Sequence, residues 1–123
     1  MGTTTLNLAM NVGDGTEILT LDMDENDAAA ADQHPADSEL TRTHLSAQKA
    51  LDFHETRYAS KIKTLTGDST KFDFSPWKGS VDLVFIDGGH DFATVKSDTE
   101  NAFRLMRPDR LSCVMWHDYR NPL

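Results

Sequence analysis

The sequence contains little cysteine, little positive charge and no long hydrophobic run. Cys113 is the single cysteine, so a chain by itself cannot build a disulfide framework or a cysteine metal site. Its apolar neighbours predict a buried residue without a chemical role. The apolar segments are much shorter than the roughly 18 residues of a membrane helix, and the first residues lack the basic and apolar regions of a signal peptide. We therefore expect a cytoplasmic protein with no membrane partner.

Acidic residues outnumber basic ones by 20 to 12, which gives a formal net charge of -8. This excess opposes binding to nucleic-acid phosphates unless basic residues cluster locally, and the sequence shows no such cluster. We therefore expect no nucleic-acid partner. A chain of 123 residues is long enough to bury a core but short for a complete doubly wound enzyme, which predicts one partial domain over residues 1–123.

The segment between Val81 and Asp91 is the most informative part of the sequence. Its apolar run stops at an acid and two glycines, as expected of a strand buried on both faces of a parallel sheet. A second run ends in the same way after Trp116. Ligands of open α/β sheets bind beyond the carboxyl ends of the strands. The candidate catalytic residues are therefore Asp87, His90, His117 and Asp118. The alternative is that the two aspartates only cap turns and helices.

Apolar patterns typical of strands and helices alternate along the chain. Strands are predicted near Thr16–Leu21, Ile62–Leu65, Val81–Ile86 and Leu111–Trp116, and helices near Thr3–Val12, Ser38–Leu51 and Phe92–Met106. This alternation predicts a Rossmann-like α/β fold, a mostly parallel sheet with flanking helices. The inward stripe of the last helix is expected to contain Phe92, Val95, Ala102, Phe103 and Met106, with Asp98 among the polar residues on the other side.

Two groups of residues in the first half of the chain indicate ligand contacts. Gly2 precedes three threonines at a predicted helix start, where main-chain N–H groups can receive an anionic or polar group. Ordinary capping explains these residues equally well. Asp22 closes a strand, as does the ribose-binding acid of nucleotide-binding β-α-β units. Asp68 and Ser69 follow the next strand and are expected on the same rim as Asp22 and Asp87.

Taken in order, these segments resemble the class I S-adenosylmethionine-dependent methyltransferases, and within them the small-molecule O-methyltransferase-like branch. The segments that carry the resemblance are Gly2–Leu6, Leu19–Asp22, Gly67–Ser69, Asp82–His90 and Val114–Tyr119. The resemblance implies S-adenosylmethionine as the cofactor. It places Gly2, Thr3 and Thr4 near the methionine part, Asp22 at the ribose hydroxyls, Asp68 and Ser69 beside the adenine, and Asp87 facing the reacting methyl group.

The sequence departs from the family pattern in three respects. The family has a strand before the position of Gly2 and further elements after Asp118, so we expect a truncated sheet. The strand ending at Asp22 and the strand ending at Asp87 would then either pair directly or receive a strand from another chain, because unpaired buried backbone is unfavourable. The usual Pro-Gly-Gly turn reads Pro108-Asp109-Arg110, where a positive φ costs roughly 1 kcal/mol in a non-glycine residue.

The leading functional hypothesis is methyl transfer from S-adenosylmethionine to an oxygen or nitrogen of a small-molecule acceptor. His90 or His117 would be the general base, since imidazole titrates near pH ~6.5. Alternatively, Asp87 and Asp118 would bind Mg²⁺ and activate an acceptor hydroxyl. The second hypothesis is a non-catalytic interaction or homo-oligomerising module. A metal-dependent hydrolase is the third, and it lacks a dedicated triad of ligands.

Overall fold

A computed structural model describes residues 2–23 and 53–118 of the chain. The structure consists of two compact units that divide in sequence between Asp68 and Ser69. Each unit contains a two-stranded parallel sheet, which confirms the predicted α/β class with parallel strands. The predicted helix Ser38–Leu51 lies outside the described residues. Within the described ranges, no helix has the length and apolar character needed to span a bilayer.

The first unit packs one helix against a parallel pair of strands. Helix α1 (Thr3–Asn11) is followed by β1 (Ile18–Asp22), and β2 (Ile62–Thr66) follows a short 3-10 turn. The strands pair in register from Ile18 opposite Ile62 to Asp22 opposite Thr66. Both strands lie within two residues of their predicted positions. Ala9 of α1 and Phe53 are the buried apolar residues of this unit within the described ranges.

The two ends of α1 are attached to opposite ends of the sheet in the first unit. Near the helix start, the Thr5 hydroxyl contacts that of Thr20 in β1 at 3.5 Å. At the other end, Lys61 Nζ donates to the Val12 carbonyl at 3.0 Å and lies 3.1 Å from an Asp14 carboxylate oxygen. Lys61 thus satisfies one of the carbonyls that a helix end leaves without a partner. The amino terminus of α1 therefore lies towards the carboxyl end of β1.

The second unit is a β-α-β arrangement. Strand β3 (Leu83–Ile86) leads into helix α2 (Phe92–Leu105), and β4 (Cys113–Trp116) returns parallel to β3. The helix begins at Asp91, whose Oδ1 accepts from the main-chain N–H groups of Ala93 at 2.9 Å and Thr94 at 3.0 Å. This N-cap fixes the helix start immediately after the candidate site. The predicted helix and the two predicted strands of this unit are confirmed, with slightly shorter bounds.

The inward side of α2 differs from the predicted apolar stripe. Phe92 is 83% exposed and Phe103 60% exposed, so their predicted inward positions are wrong. Ala102 is buried, and its small side chain allows the helix backbone to lie close to its neighbours. Asp98, predicted on the polar side, instead has a solvent-shielded carboxylate oxygen. The two phenylalanines lie at the borders of the inward side because that side is centred near Asp98 and Ala102.

Two further expectations are corrected in the second unit. The Pro108-Asp109-Arg110 turn has no positive φ, since Asp118 at φ 52° is the only non-glycine residue with positive φ in the described ranges. The turn is instead attached to the residue just before β3 by Arg110, which donates to both carboxylate oxygens of Asp82 at 2.6 and 2.8 Å. Cys113 is exposed rather than buried, because it lies on the outward face of the strand pair.

Strands β1 and β3 belong to different sheets among the described strands. Each of these sheets lies within its own unit. Direct pairing of the strand ending at Asp22 with the strand ending at Asp87, and a strand donated by another chain, therefore both stay predictions.

Candidate active site

The register of β3 and β4 brings an acid and a histidine together at the carboxyl end of the sheet. Ile86 pairs with Trp116, and the next main-chain N–H, that of His117, donates to the Ile86 carbonyl at 3.0 Å. The residues that follow the strands, Asp87 and His117, are therefore adjacent. His117 Nδ1 lies 2.9 Å from Asp87 Oδ1, which is a hydrogen-bond distance.

Asp118 is the second carboxylate at the same imidazole. Its Oδ2 lies 3.2 Å from His117 Nδ1 and 3.8 Å from His90 Nε2. The longer distance is outside the hydrogen-bond range. Asp118 has a left-handed backbone conformation, φ 52°, which aspartate adopts more readily than most residues. The structure thus brings Asp87, His117 and Asp118 together, with His90 at the edge of the group.

One nitrogen of the His117 ring lies close to the carboxylates, and the other is available. Nδ1 faces the two carboxylates, and a neutral ring that carries its proton on Nδ1 presents a lone pair on Nε2. No group in the described ranges bonds to Nε2. The ring lies against Phe85 with centroids 5.9 Å apart, and the His117 and Asp87 side chains are each about half exposed. Nε2 can therefore reach a ligand from solvent.

The predicted Mg²⁺ site at Asp87 and Asp118 stays a prediction. The described ranges contain no group of three or more His, Cys, Asp or Glu side chains arranged to hold a metal ion. The nitrogen His117 Nδ1 lies 2.9 Å from Asp87 Oδ1 and 3.2 Å from Asp118 Oδ2. Both carboxylates therefore lie against the same imidazole nitrogen.

The predicted residues for the methionine part lie at the start of α1. Gly2 is the N-cap residue with φ 84° and ψ 12°, and no side chain caps the helix. A left-handed N-cap favours glycine, which lacks the Cβ penalty. The main-chain N–H groups of the first turn, which includes Thr3 and Thr4, point out of the helix at its positive end. This geometry suits an anionic group, such as the carboxylate of an amino acid.

The predicted ribose and adenine residues lie at the carboxyl ends of β1 and β2. The Asp22 carbonyl accepts from the Gly67 main-chain N–H at 2.9 Å, which joins the two strand ends. The Asp22 side chain is exposed, and its Oδ1 accepts from the Met23 main-chain N–H at 3.0 Å. Asp68 is buried. Ser69 falls in the second unit, where its carbonyl accepts from Asn101 Nδ2 at 3.5 Å.

Asp98 is the residue near the site that sequence reasoning missed. Its Oδ2 lies 3.0 Å from the position that a Cβ on Gly88 would occupy, and its Oδ1 is shielded from solvent. The spacing between Asp98 and the N-cap residue Asp91 could have indicated this position. Asp98 follows Asp91 by seven residues, two helical turns, and therefore lies on the face that carries the cap.

The comparison with protein families agrees with this geometry. A family model described as a methyltransferase domain matches residues 1–119. The chain belongs to this methyltransferase-domain family. The match confirms the resemblance to class I S-adenosylmethionine-dependent methyltransferases and supports methyl transfer in general. Comparisons with curated proteins and with solved structures gave no match. The residue roles therefore rest on the geometry of each unit.

Proposed function

We propose that this methyltransferase-domain protein transfers a methyl group from S-adenosylmethionine to an oxygen or nitrogen of a small-molecule acceptor, with His117 as the general base. The observation that carries the proposal is the 2.9 Å contact between His117 Nδ1 and Asp87 Oδ1. A carboxylate on Nδ1 selects the tautomer with a free Nε2 and stabilises the ring after it gains a proton. The same logic operates in other histidine–carboxylate pairs.

When bound, S-adenosylmethionine supplies a methyl group activated by a positively charged sulfur. The acceptor O–H or N–H would donate to His117 Nε2, and this nitrogen would take the proton as the acceptor bonds to the methyl carbon. The bond between that carbon and the cofactor sulfur would break, and the cofactor would leave as the neutral thioether. Asp87 keeps the ring in place and offsets its new positive charge. General-base catalysis of this kind contributes about 10²- to 10⁴-fold to a rate. The rate therefore depends on how well Asp87 and the ring are held.

The geometry favours His117 over His90, the other histidine considered for this role. His90 Nε2 is 3.8 Å from Asp118 Oδ2, so this pair does not fix the orientation of the ring. His117 instead follows the last residue of β4 and is held by a main-chain hydrogen bond to Ile86 of 3.0 Å. A base attached to a strand end keeps its position better than one in a loop, which lowers the cost of alignment.

The first unit carries most of the proposed cofactor residues, and Ser69 belongs to the second unit. The helix start at Gly2, Thr3 and Thr4 would receive the carboxylate of the methionine part. The exposed Asp22 carboxylate would accept hydrogen bonds from the ribose hydroxyls, and charge-assisted bonds of this type are roughly twice as strong as neutral ones. Asp68 and Ser69 would border the adenine. The left-handed glycine without a side-chain cap and the exposed acid at a strand end support this assignment.

The test is transfer of an isotopically labelled methyl group from S-adenosylmethionine to a panel containing a catechol, a simple phenol and a primary amine. The wild-type chain should label at least one class of acceptor. His117→Ala should lower the rate by about 10²-fold or more, as expected for loss of a general base, whereas His90→Ala should keep it within tenfold. Equal losses in the two variants would contradict the assignment of the base.

A homo-oligomerising role is the second candidate, and one surface favours it. Register places Leu83 beside Cys113 and Phe85 beside Met115 on one face of the β3–β4 pair. On that face, Leu83 is 38% exposed and Met115 49% exposed, which is unusual for neighbouring apolar strand residues. Light scattering should show a dimer that Leu83→Glu converts into a folded monomer. A wild-type monomer at the highest soluble concentration would eliminate this candidate.

A further inference from the structure

An acidic side chain lies on the inward side of α2, directly after the candidate site. Asp98 is one helical turn before the buried Ala102, and its Oδ1 is shielded from solvent. Removing a carboxylate from water is unfavourable unless the protein compensates for it. A residue of this type at the centre of the inward side therefore calls for a role beyond the apolar packing that normally fills such positions.

The carboxylate of Asp98 lies against the loop that follows β3. A Cβ built on Gly88 would be 3.0 Å from Asp98 Oδ2, closer than most side chains approach one another. The next residue is similarly close to the helix, since a Cβ on Gly89 would be 3.1 Å from Thr94 Cγ2 and 3.5 Å from Asp91 Oδ2. Two glycines thus allow the loop to lie directly on the first two turns of α2.

We propose that Asp98 is a positioning residue for the general base. Its carboxylate fixes the main-chain path of Gly88, and so holds Asp87 where Oδ1 meets His117 Nδ1 at 2.9 Å. Asp87 lies between two restraints, the strand residue Ile86 on one side and the Gly88 contact on the other. The inference rests on the proposed role of His117, and it adds a residue that touches neither cofactor nor acceptor.

The contact between Asp98 and the loop predicts an effect on the tautomer of the His117 ring. A role of Asp98 in helix stability would predict no such effect. The ring faces Asp87, Asp118 and the Phe85 ring, with His90 beyond Asp118. When Asp87 is held correctly, the neutral ring carries its proton on Nδ1. If the loop moves, this preference weakens and the ring becomes a mixture of both tautomers. A role for Asp98 in helix stability alone would lower the free energy of unfolding and leave the tautomer unchanged.

The experiment measures the ring nitrogens of His117 by nuclear magnetic resonance in the full chain, at a pH above the ordinary imidazole range. The variants are Asp98→Ala, which removes the carboxylate, and Gly88→Ala, which keeps it but inserts a methyl group into the contact. Glu100→Ala is the matched control, because Glu100 is an exposed acid on the same helix. The wild type and Glu100→Ala should show the Nδ1–H tautomer, and both test variants should lose this signature.

Wild-type ring signals in a folded Asp98→Ala chain would overturn the proposal. If that variant does not fold, unchanged signals in Gly88→Ala would overturn it instead. Loss of the signature in Glu100→Ala would also overturn it, because a general charge effect would then explain the result. The readout needs neither cofactor nor acceptor. A tautomer change in a chain that does not bind S-adenosylmethionine would therefore support the Asp98 proposal while the proposed function fails.

Discussion

His117 Nδ1 lies 2.9 Å from Asp87 Oδ1, and the pairing register of two strands sets this distance. Each residue is the first after a strand, and the last residues of those strands, Ile86 and Trp116, are partners. A shift of the register by one residue would turn the following side chains to opposite faces of the sheet. The geometry of the proposed base is therefore a consequence of how β3 and β4 pair.

Asp87→Asn should reduce methyl transfer by about tenfold or more, because an amide can present an N–H to Nδ1 and no longer favours the tautomer with a free Nε2. Asp118→Asn should have a smaller effect, since its contact with the ring is the longer one at 3.2 Å. Rates with the best acceptor of the panel would measure both effects. A larger loss in Asp118→Asn than in Asp87→Asn would assign the orienting role to the wrong carboxylate.

Asp91→Ala should lower the free energy of unfolding by about 1 kcal/mol at neutral pH, because it removes the N-cap of α2. Asp91→Ser retains a cap oxygen and should lose less. The Thr94 side chain, and then the main-chain N–H groups of Thr94 and Ala93, lower the pKa of Asp91 by hydrogen bonding. Urea denaturation of the three proteins would measure the differences.

The same N-cap predicts how the free energy of unfolding changes with pH. The folded pKa of Asp91 lies below the unfolded value, which is near ~3.9 for an ordinary aspartate. The stabilisation is thus fully present above that unfolded value and is lost as pH falls through the folded pKa. The difference between wild type and Asp91→Ala should therefore narrow in acid. A difference that grows as pH falls would contradict this account.

Trp116 and Thr99 should show an energetic coupling of about 0.5–1.5 kcal/mol, the usual contribution of one hydrogen bond. Trp116 Nε1 donates to Thr99 Oγ1 at 2.9 Å, which ties β4 to α2 one residue before the proposed base. The measurement is a double-mutant cycle with Trp116→Phe and Thr99→Val. Additive effects of the two substitutions would show that the contact contributes nothing.

Lys61→Met should destabilise the chain by about 1.5–3 kcal/mol, the range for a hydrogen bond to a charged group. The Lys61 side chain is only 12% exposed, and it donates to the last turn of α1 at Val12 O. Methionine keeps the apolar stem but not the donor. Lys63→Met is the control, because Lys63 is an exposed lysine two residues further along the chain, in β2. Equal thermal denaturation of the two variants would be incompatible with the capping role.

The strand ends of the second unit were predictable from sequence because each apolar run stops at an ionisable residue. Asp87 and His117 follow such runs, so their position at the same edge of the sheet could be predicted. The catalytic roles of the two residues stay predictions. Which histidine pairs with which acid was not predictable. That choice depends on the register, which is set by tertiary packing rather than by local sequence.

Side-chain burial in α2 was the least predictable feature. Periodicity identified a helix correctly but placed Phe103 inward and Asp98 outward, because an apolar stripe was assumed to face the core. In the structure, Asp98 Oδ2 lies 3.0 Å from the place that a Cβ on Gly88 would occupy, so the glycine leaves room for the carboxylate on the inward side. A single sequence does not reveal this fit, because it arises from a contact between loop and helix.

Calorimetric titration with S-adenosylmethionine tests the central claim most directly, because every proposed step depends on cofactor binding. Asp22→Ala is the test variant, and Glu17→Ala is the matched control, an exposed acid just before the start of β1. The wild type and Glu17→Ala should bind one cofactor per chain with similar affinity. Asp22→Ala should bind at least about tenfold more weakly, since one charged hydrogen bond contributes about 1.5–3 kcal/mol. A wild-type chain that is folded but gives no binding heat at millimolar cofactor (about −4 kcal/mol), or an Asp22→Ala chain with wild-type affinity, would contradict the account.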